Sequence, residues 1–215
     1  MQTELNAINR VTGSEVKLQS TEGGDGLVVP GGVLYEEVTR AGLAFHFHTT
    51  TATAGVTSTP STAVNCAFRN TADDGGKSMI IDAIYAMQVG NAGATLSGFG
   101  IIYVLGQTRV AALTSGGLIP RKNNGMGPST DTVCIMSLTA TALDAVTGVV
   151  IGWLPAGPGI FQNIASLPGL VIFNEINGRI IVPPGRILGV HVAAGSTTAT
   201  WNMGLMWHEK VITLG

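Results

Sequence analysis

The residues of this chain whose types and spacing bear most directly on chemistry are four histidines and a small set of carboxylates. His46 and His48 are two apart in an alternating run, so on a strand they share one face, opposite Leu43, Phe45 and Phe47. His191 and His208 fall in two further strand-like runs, each on the face opposite the larger apolar set. Three imidazoles on neighbouring strands would make a donor set for zinc or iron. Failing that, the same side chains read as solvent-facing or interface histidines, and this is the expectation here. The carboxylates of the strand region, Asp73, Asp74, Asp82, Asp131, Asp144, Glu175 and Glu209, are few and read mostly as turn-flanking residues rather than a catalytic pair.

Enzyme motifs do not emerge. There is no G-x-S-x-G nucleophile elbow, and Gly76-Lys77-Ser78 lacks the first glycine of a phosphate-binding loop, because position 71 is Thr. The His-x-His pair with a distant histidine resembles the metal site of the cupins. In that pattern a Glu follows within a few residues, whereas Thr49-Thr50-Thr51-Ala52-Thr53-Ala54 follows here. A cupin-like metalloenzyme is therefore a distant alternative. The expectation is no enzyme, with no catalytic residue, no metal site and no cofactor. Cys66 and Cys134 stand far apart without a C-x-x-C spacing and read as reduced, small core residues.

The elements that would position these residues are short strands. Met79, Ile81, Ala83, Tyr85, Met87 and Val89 alternate with a more polar set bearing Asp82 and Gln88. Trp201, Met203, Leu205 and Trp207 alternate with Asn202, Gly204, Met206 and His208. Phe99–Leu105 is apolar on both faces and reads as a central strand. Asn177-Gly178, between Leu170–Ile176 and Arg179–Val182, predicts a two-residue hairpin with positive φ at both residues. Asp73-Asp74-Gly75-Gly76, Gly90-Asn91-Ala92-Gly93 and Pro183-Pro184-Gly185 read as further turns. Val110–Leu113 and Thr139–Asp144 could each hold a short helix, and Leu113–Pro128 reads as a loop. Strands with turn signals every dozen or so residues predict an all-β chain, an antiparallel β-sandwich of jelly-roll-like form spanning 32–215. Residues 1–31 lack a sustained period and carry a Gly/Pro-rich end, which reads as an extended N-terminal arm.

Composition narrows the function. The 215 residues carry a net charge of −2, and only 11% of them are charged, under half the roughly 25% of ordinary globular chains. No basic field is available to neutralise phosphates, so neither a nucleic acid nor an anionic membrane surface is an expected partner. Mean hydropathy is high at +0.37, yet Phe99–Ile119 and Ala145–Phe173 are both broken by polar residues, Pro or Gly before reaching the ~20 apolar residues of a spanning helix. Met1–Gly26 has no basic segment followed by an apolar core, so no secretory signal is expected there. So little charge is compatible with a Thr-, Ser-, Asn- and Gly-rich surface, or with apolar surface buried between subunits, where charge is depleted.

Ile180-Ile181-Val182-Pro183-Pro184-Gly185-Arg186, Val190–Val192, Ala193-Ala194-Gly195-Ser196-Thr197-Thr198 and a closing Trp201–Ile212 strand resemble the end of tailed-bacteriophage structural proteins. There a Pro-Pro-Gly turn feeds one strand and a small-residue turn leads to the last. The resemblance covers about a sixth of the chain and carries over no functional residue. It implies a virion component of jelly-roll type: a capsid decoration or cement protein that binds and stabilises the assembled shell by mass action. The implied partners are further copies of itself, as a homotrimer, and the major capsid protein or other virion proteins. The implied location is the capsid surface, after synthesis in the host cytoplasm. The alternative is a tail- or fibre-associated protein that binds a host receptor, with the polar loop Arg121–Thr130 as its tip.

Overall fold

In a computed structural model, residues 6–8, 15–17, 34–55, 66–90, 99–106, 120–126, 131–137, 149–155, 171–194 and 200–212 are described. These residues are built mainly from antiparallel sheets, so the chain is all-β. Strands β1 (Asn6–Ile8) and β2 (Glu15–Lys17) pair with one another as a two-stranded sheet. The rest of the strands are β3 (Ala44–His48), β4 (Thr53–Ala54), β5 (Cys66–Asn70), β6 (Lys77–Gly90), β7 (Phe99–Gly106) and β8 (Arg121–Lys122). They continue with β9 (Cys134–Ser137), β10 (Val149–Pro155), β11 (Val171–Val182), β12 (Ile187–Ala194) and β13 (Thr200–Val211). One sheet runs β10-β7-β12-β5-β9, and the other runs β11-β6-β13-β3-β8 with β4 added against β13.

The pairing is nested. β3 lies beside β13, β5 beside β12, β6 beside β11 and β7 beside β10, all antiparallel. Successive pairs in this nesting alternate between the two sheets. One apolar cluster draws on both sheets: Phe45, Trp201, Met203, Leu205 and Trp207 from one, Phe68, Met136, Leu188, Val190 and Val192 from the other. Phe47 and Phe68 meet edge to face across the sheets, 5.7 Å between centroids. Cys66 and Cys134 are both buried, unpaired thiols in this cluster, and burial raises both pKa values.

Asn70 ties the sheets at one end. Its side-chain amide donates to the carbonyls of Lys77 (2.8 Å) and Val182 (2.9 Å) while its Oδ1 accepts from Ala72 N–H. Its backbone exchanges hydrogen bonds with Arg186 and Gly185. The Pro183-Pro184-Gly185 turn that delivers these groups has Gly185 at φ 74° and an Arg186 N–H to Pro183 carbonyl bond of 3.1 Å. Pro then Gly is the composition a type II turn requires.

Three features differ from the sequence expectation. First, Leu34–Arg40 forms a helix, α1, within the region read as strands and turns. Glu36 and Glu37 stand in its first turn and Arg40 in its last, matching the helix dipole. Gly42 ends it at φ 71°, with Leu43 N–H bonded to Val38 carbonyl and Gly42 N–H to Thr39 carbonyl. This paired closure is a Schellman cap, set by a glycine just past the last turn.

Second, β6 does not keep one alternation. Its members of the core cluster are Met79 and Ile81, then Ile84 and Ala86, while Met87 and Val89 are exposed. The cause is a register break at Asp82, since Met206 pairs with Ala83 and Trp207 with Ile81. One extra residue in a strand swaps its faces beyond that point. Third, Asn177 (φ 50°) and Gly178 (φ 77°) do adopt the expected positive φ, but they do not reverse the chain between two strands. β11 pairs with β6 on both sides of them, Glu175 with Ala83 and Ile180 with Ile81, so they form the tip of a bulge opposite Asp82. The possible short helices at 110–113 and 139–144, the turn at 91–93 and most of the loop 113–128 lie outside the described residues. Among the described residues no helix is long and apolar enough to cross a membrane.

Candidate functional site

The two register breaks meet at one residue. Asp82 is left out of the ladder on both its β13 and β11 sides, and it turns to His208. Both Asp82 carboxylate oxygens lie against His208 Nδ1, at 2.9 and 3.0 Å. His208 is only 6% exposed. Tyr35 of α1 meets the imidazole edge-on at 6.5 Å, and its hydroxyl donates to Asn177 Oδ1 at 2.5 Å. Burial lifts the Asp82 carboxyl above its ordinary pKa, and His208 opposes that lift. Tyr35 is raised too, by burial first and then by the negative charges of Asp82 and Glu175. A hydrogen bond thus joins α1 to the β11 bulge, and the Tyr35 ring edge rests on the imidazole that Asp82 holds. Nδ1 of the imidazole is thus held by a partly buried carboxylate.

The other histidines do not join it. His46 and His48 are on the same outer face as His208, opposite Phe45 and Phe47, as expected from their spacing. His46 Nδ1 lies 2.7 Å from Asn123 Oδ1, and His48 is exposed. His191 lies in β12 of the other sheet and is buried, 2% exposed, instead of facing solvent or an interface as a surface group. Among the described residues no three of His, Cys, Asp and Glu stand together as possible metal ligands. The cupin-like set therefore has no third imidazole from β12.

Glu209, like His191, differs from the sequence expectation. It is no turn-flanking acid. It follows the Trp207 face of β13 into the interior and is fully buried. Its Oε1 accepts from Thr132 Oγ1 (2.5 Å), Val133 N–H (3.0 Å) and Trp207 Nε1–H (3.3 Å), while Lys77 Nζ stands 4.0 Å from Oε2. Burial raises its pKa, and the hydrogen bonds from Thr132, Trp207 and Val133 and the charge of Lys77 partly offset this. Its alternation with Trp207 was the available signal.

Beyond the Asp82 break, the swapped alternation puts apolar side chains outside. Met87 (45% exposed), Val89 (48%), Val171 (60%) and Phe173 (51%) lie on neighbouring strands, with Val171 opposite Met87 and Phe173 opposite Tyr85. The Tyr85 and Phe173 rings are near parallel, 24° apart with centroids 6.3 Å apart. Tyr85 lies over Gly204 of β13, where a Cβ would overlap its ring, and its hydroxyl donates to Phe47 carbonyl at 3.2 Å. A glycine is needed there for the ring to lie flat. Burial raises the Tyr85 phenol. At the opposite edge of the same sheet, Asn123–Met126 of the Arg121–Thr130 loop are exposed, and Lys122 pairs with Asp131 at 2.9 Å; residues 127–130 lie outside the described residues.

No protein-family model matches the chain, and no curated protein matches it at a significant level.

Proposed function

We propose that the chain is a β-sandwich of jelly-roll type and a structural component of a virion, a shell-associated decoration protein whose work is contact. The observation that carries this is the nested pairing of β3 with β13, β5 with β12, β6 with β11 and β7 with β10. Eight strands paired in this way across two sheets are the plan of jelly rolls, an architecture shared by viral capsid domains, lectins and cupins. Fold alone does not choose among these. The low charge and the outward apolar strip favour a contact role, because exposed apolar patches mark interaction surfaces. Binding to an assembled shell would stabilise it in proportion to RT ln(1 + [L]/Kd), with no reaction required. The proposed partners are other copies of the chain, as a homotrimer, and major capsid or other virion proteins, with residues 1–31 as a tethering arm. The virion surface is the proposed location.

A tail- or fibre-associated receptor binder is the second reading, favoured by the exposed tip after β8. Antiserum raised to the recombinant protein, applied to virus particles purified on a density gradient from the source culture, separates the readings. Labelling spread over the shell is expected. Labelling confined to the tail selects the second reading, and particles free of the protein remove both.

A further inference from the structure

We propose that the outward strip formed by Tyr85, Met87 and Val89 of β6 with Val171 and Phe173 of β11 is where copies of this chain dock on one another. The inference deepens the contact reading above and rests on it. Of the six large hydrophobic side chains exposed among the described residues, four (Met87, Val89, Val171 and Phe173) fall in this one strip. Isolated exposed hydrophobics are ordinary, but contiguous ones on adjacent strands signal an interface. The strip exists because the chain adds a residue at Asp82 and so turns odd-numbered apolar side chains outward.

The occupant follows from charge and area. The strip itself carries no ionised side chain, and its limit on β11 is the exposed Glu175, the next residue on the same face after Phe173 and opposite Ala83. A nucleic acid or an anionic membrane would find no basic group to pair with. Rotational symmetry brings the same surface, or its immediate surroundings, from every copy to the contact, so like charges there would repel; a neutral strip avoids that cost. Aromatic and Met side chains are also those enriched at interface centres, where Lys, Glu and Asp are depleted. Four partly exposed side chains supply an area on the order of a few hundred Å², short of the roughly 800 Å² per partner of a stable interface. The surroundings extend it without charge, since Gly90 pairs with Thr200 and Thr200 with Ala54 across β6, β13 and β4. Among the described residues β11 is also the edge of its sheet, so the strip reaches the rim where another copy has access.

The test uses the full chain. Masses of wild type, the double variant Val171→Glu/Phe173→Glu and the control Met126→Glu are measured by light scattering after size exclusion, over a micromolar concentration series. Met126 is exposed but lies at the far edge of the sheet, after β8. The wild type and M126E are expected to form the same closed oligomer. The double variant is expected to be a monomer with an unchanged circular dichroism spectrum, its association weakened at least ~100-fold, the scale of two central interface residues. A folded double variant that assembles like the wild type overturns the proposal, as does a monomeric wild type. If the double variant does not fold, Val89→Cys treated with a short bis-maleimide replaces it, since Cys66 and Cys134 are buried. Cross-linked multiples of the chain then support the contact, and their absence refutes it. A monomer that still labels virus particles would sink this inference alone, while an oligomer absent from particles would sink only the virion reading.

Discussion

Gly204→Ala probes the site at its most constrained point. A Cβ at 204 would occupy space held by the Tyr85 ring, so the ring must lift from the sheet. Lifting it breaks the hydrogen bond to Phe47 carbonyl, about 1 kcal/mol net, and disturbs the near-parallel pair with Phe173, about 0.5–1.5 kcal/mol. Accommodating the added methyl in a packed site costs a further ~1–3 kcal/mol. Non-additivity trims the sum, giving about 2–4 kcal/mol. At roughly 2–4 °C per kcal/mol for a chain of this length, the melting temperature should fall by roughly 4–16 °C. Thermal melts are run at one fixed concentration, because association shifts the midpoint. The companion is Tyr85→Leu, which removes the ring that clashes. In the double variant Gly204→Ala should cost little, so the two changes should be coupled by about 1–2 kcal/mol. A Gly204→Ala protein that melts with the wild type, or a cycle in which the two costs simply add, refutes the argument that Gly204 is there to seat Tyr85.

The remaining predictions concern the interior. Glu209→Gln keeps the Oε1 acceptor for Thr132, Val133 and Trp207 and removes the buried charge. Because the Glu209 pKa is raised, the native state holds its proton more tightly than the unfolded chain. Stability from this group is full below the ordinary carboxylate range and is lost as pH rises through the raised value. Melts across pH should therefore show a decline in the wild type that the Gln variant lacks, and equal slopes would contradict this. Asn70→Ala strands the Lys77 and Val182 carbonyls and Ala72 N–H and should cost about 2–4 kcal/mol in denaturant titrations; a loss under about 1 kcal/mol would show that Asn70 is no tie between the sheets. Asp82→Ala leaves His208 buried without its carboxylate and should cost about 1–3 kcal/mol, with faster amide exchange in α1. Unchanged α1 exchange would show that the Asp82–His208 pair does not anchor the helix. At the β11 tip, Gly178→Val should destabilise by about 1–2 kcal/mol because φ is 77° there, whereas Asn177→Gly should stay within about 0.5 kcal/mol. Equal effects at the two positions would contradict the assigned backbone conformations.

Strand identity was legible because alternation and turn chemistry are local. The Trp201–Trp207 face reads directly from the sequence and is buried throughout. Positive φ at Asn177 and Gly178 was legible for the same reason, since residue type sets it. Their place as a bulge was not, because Asn-Gly has the same local signature whether β11 reverses or continues along β6. The face swap of β6 was equally hidden, since the extra residue at Asp82 is defined only against its partner strands. That swap decides the site: read as unbroken alternation, Tyr85, Met87 and Val89 belong to the core, and no outward strip exists. The helix α1 spans seven residues, too few for a visible period. Glu209 escaped because nothing in its own neighbourhood announces Thr132 and Val133, which reach it across 76 or more positions.

The central claim, that this is a protein of contacts whose missing charge corresponds to surface buried between copies, is tested most directly by mass. Light scattering of the untagged wild-type chain across a micromolar concentration series should give a single closed oligomer, three chains in the proposed assembly, with no dissociation at the lowest concentration. A mass of one chain throughout the series would contradict it.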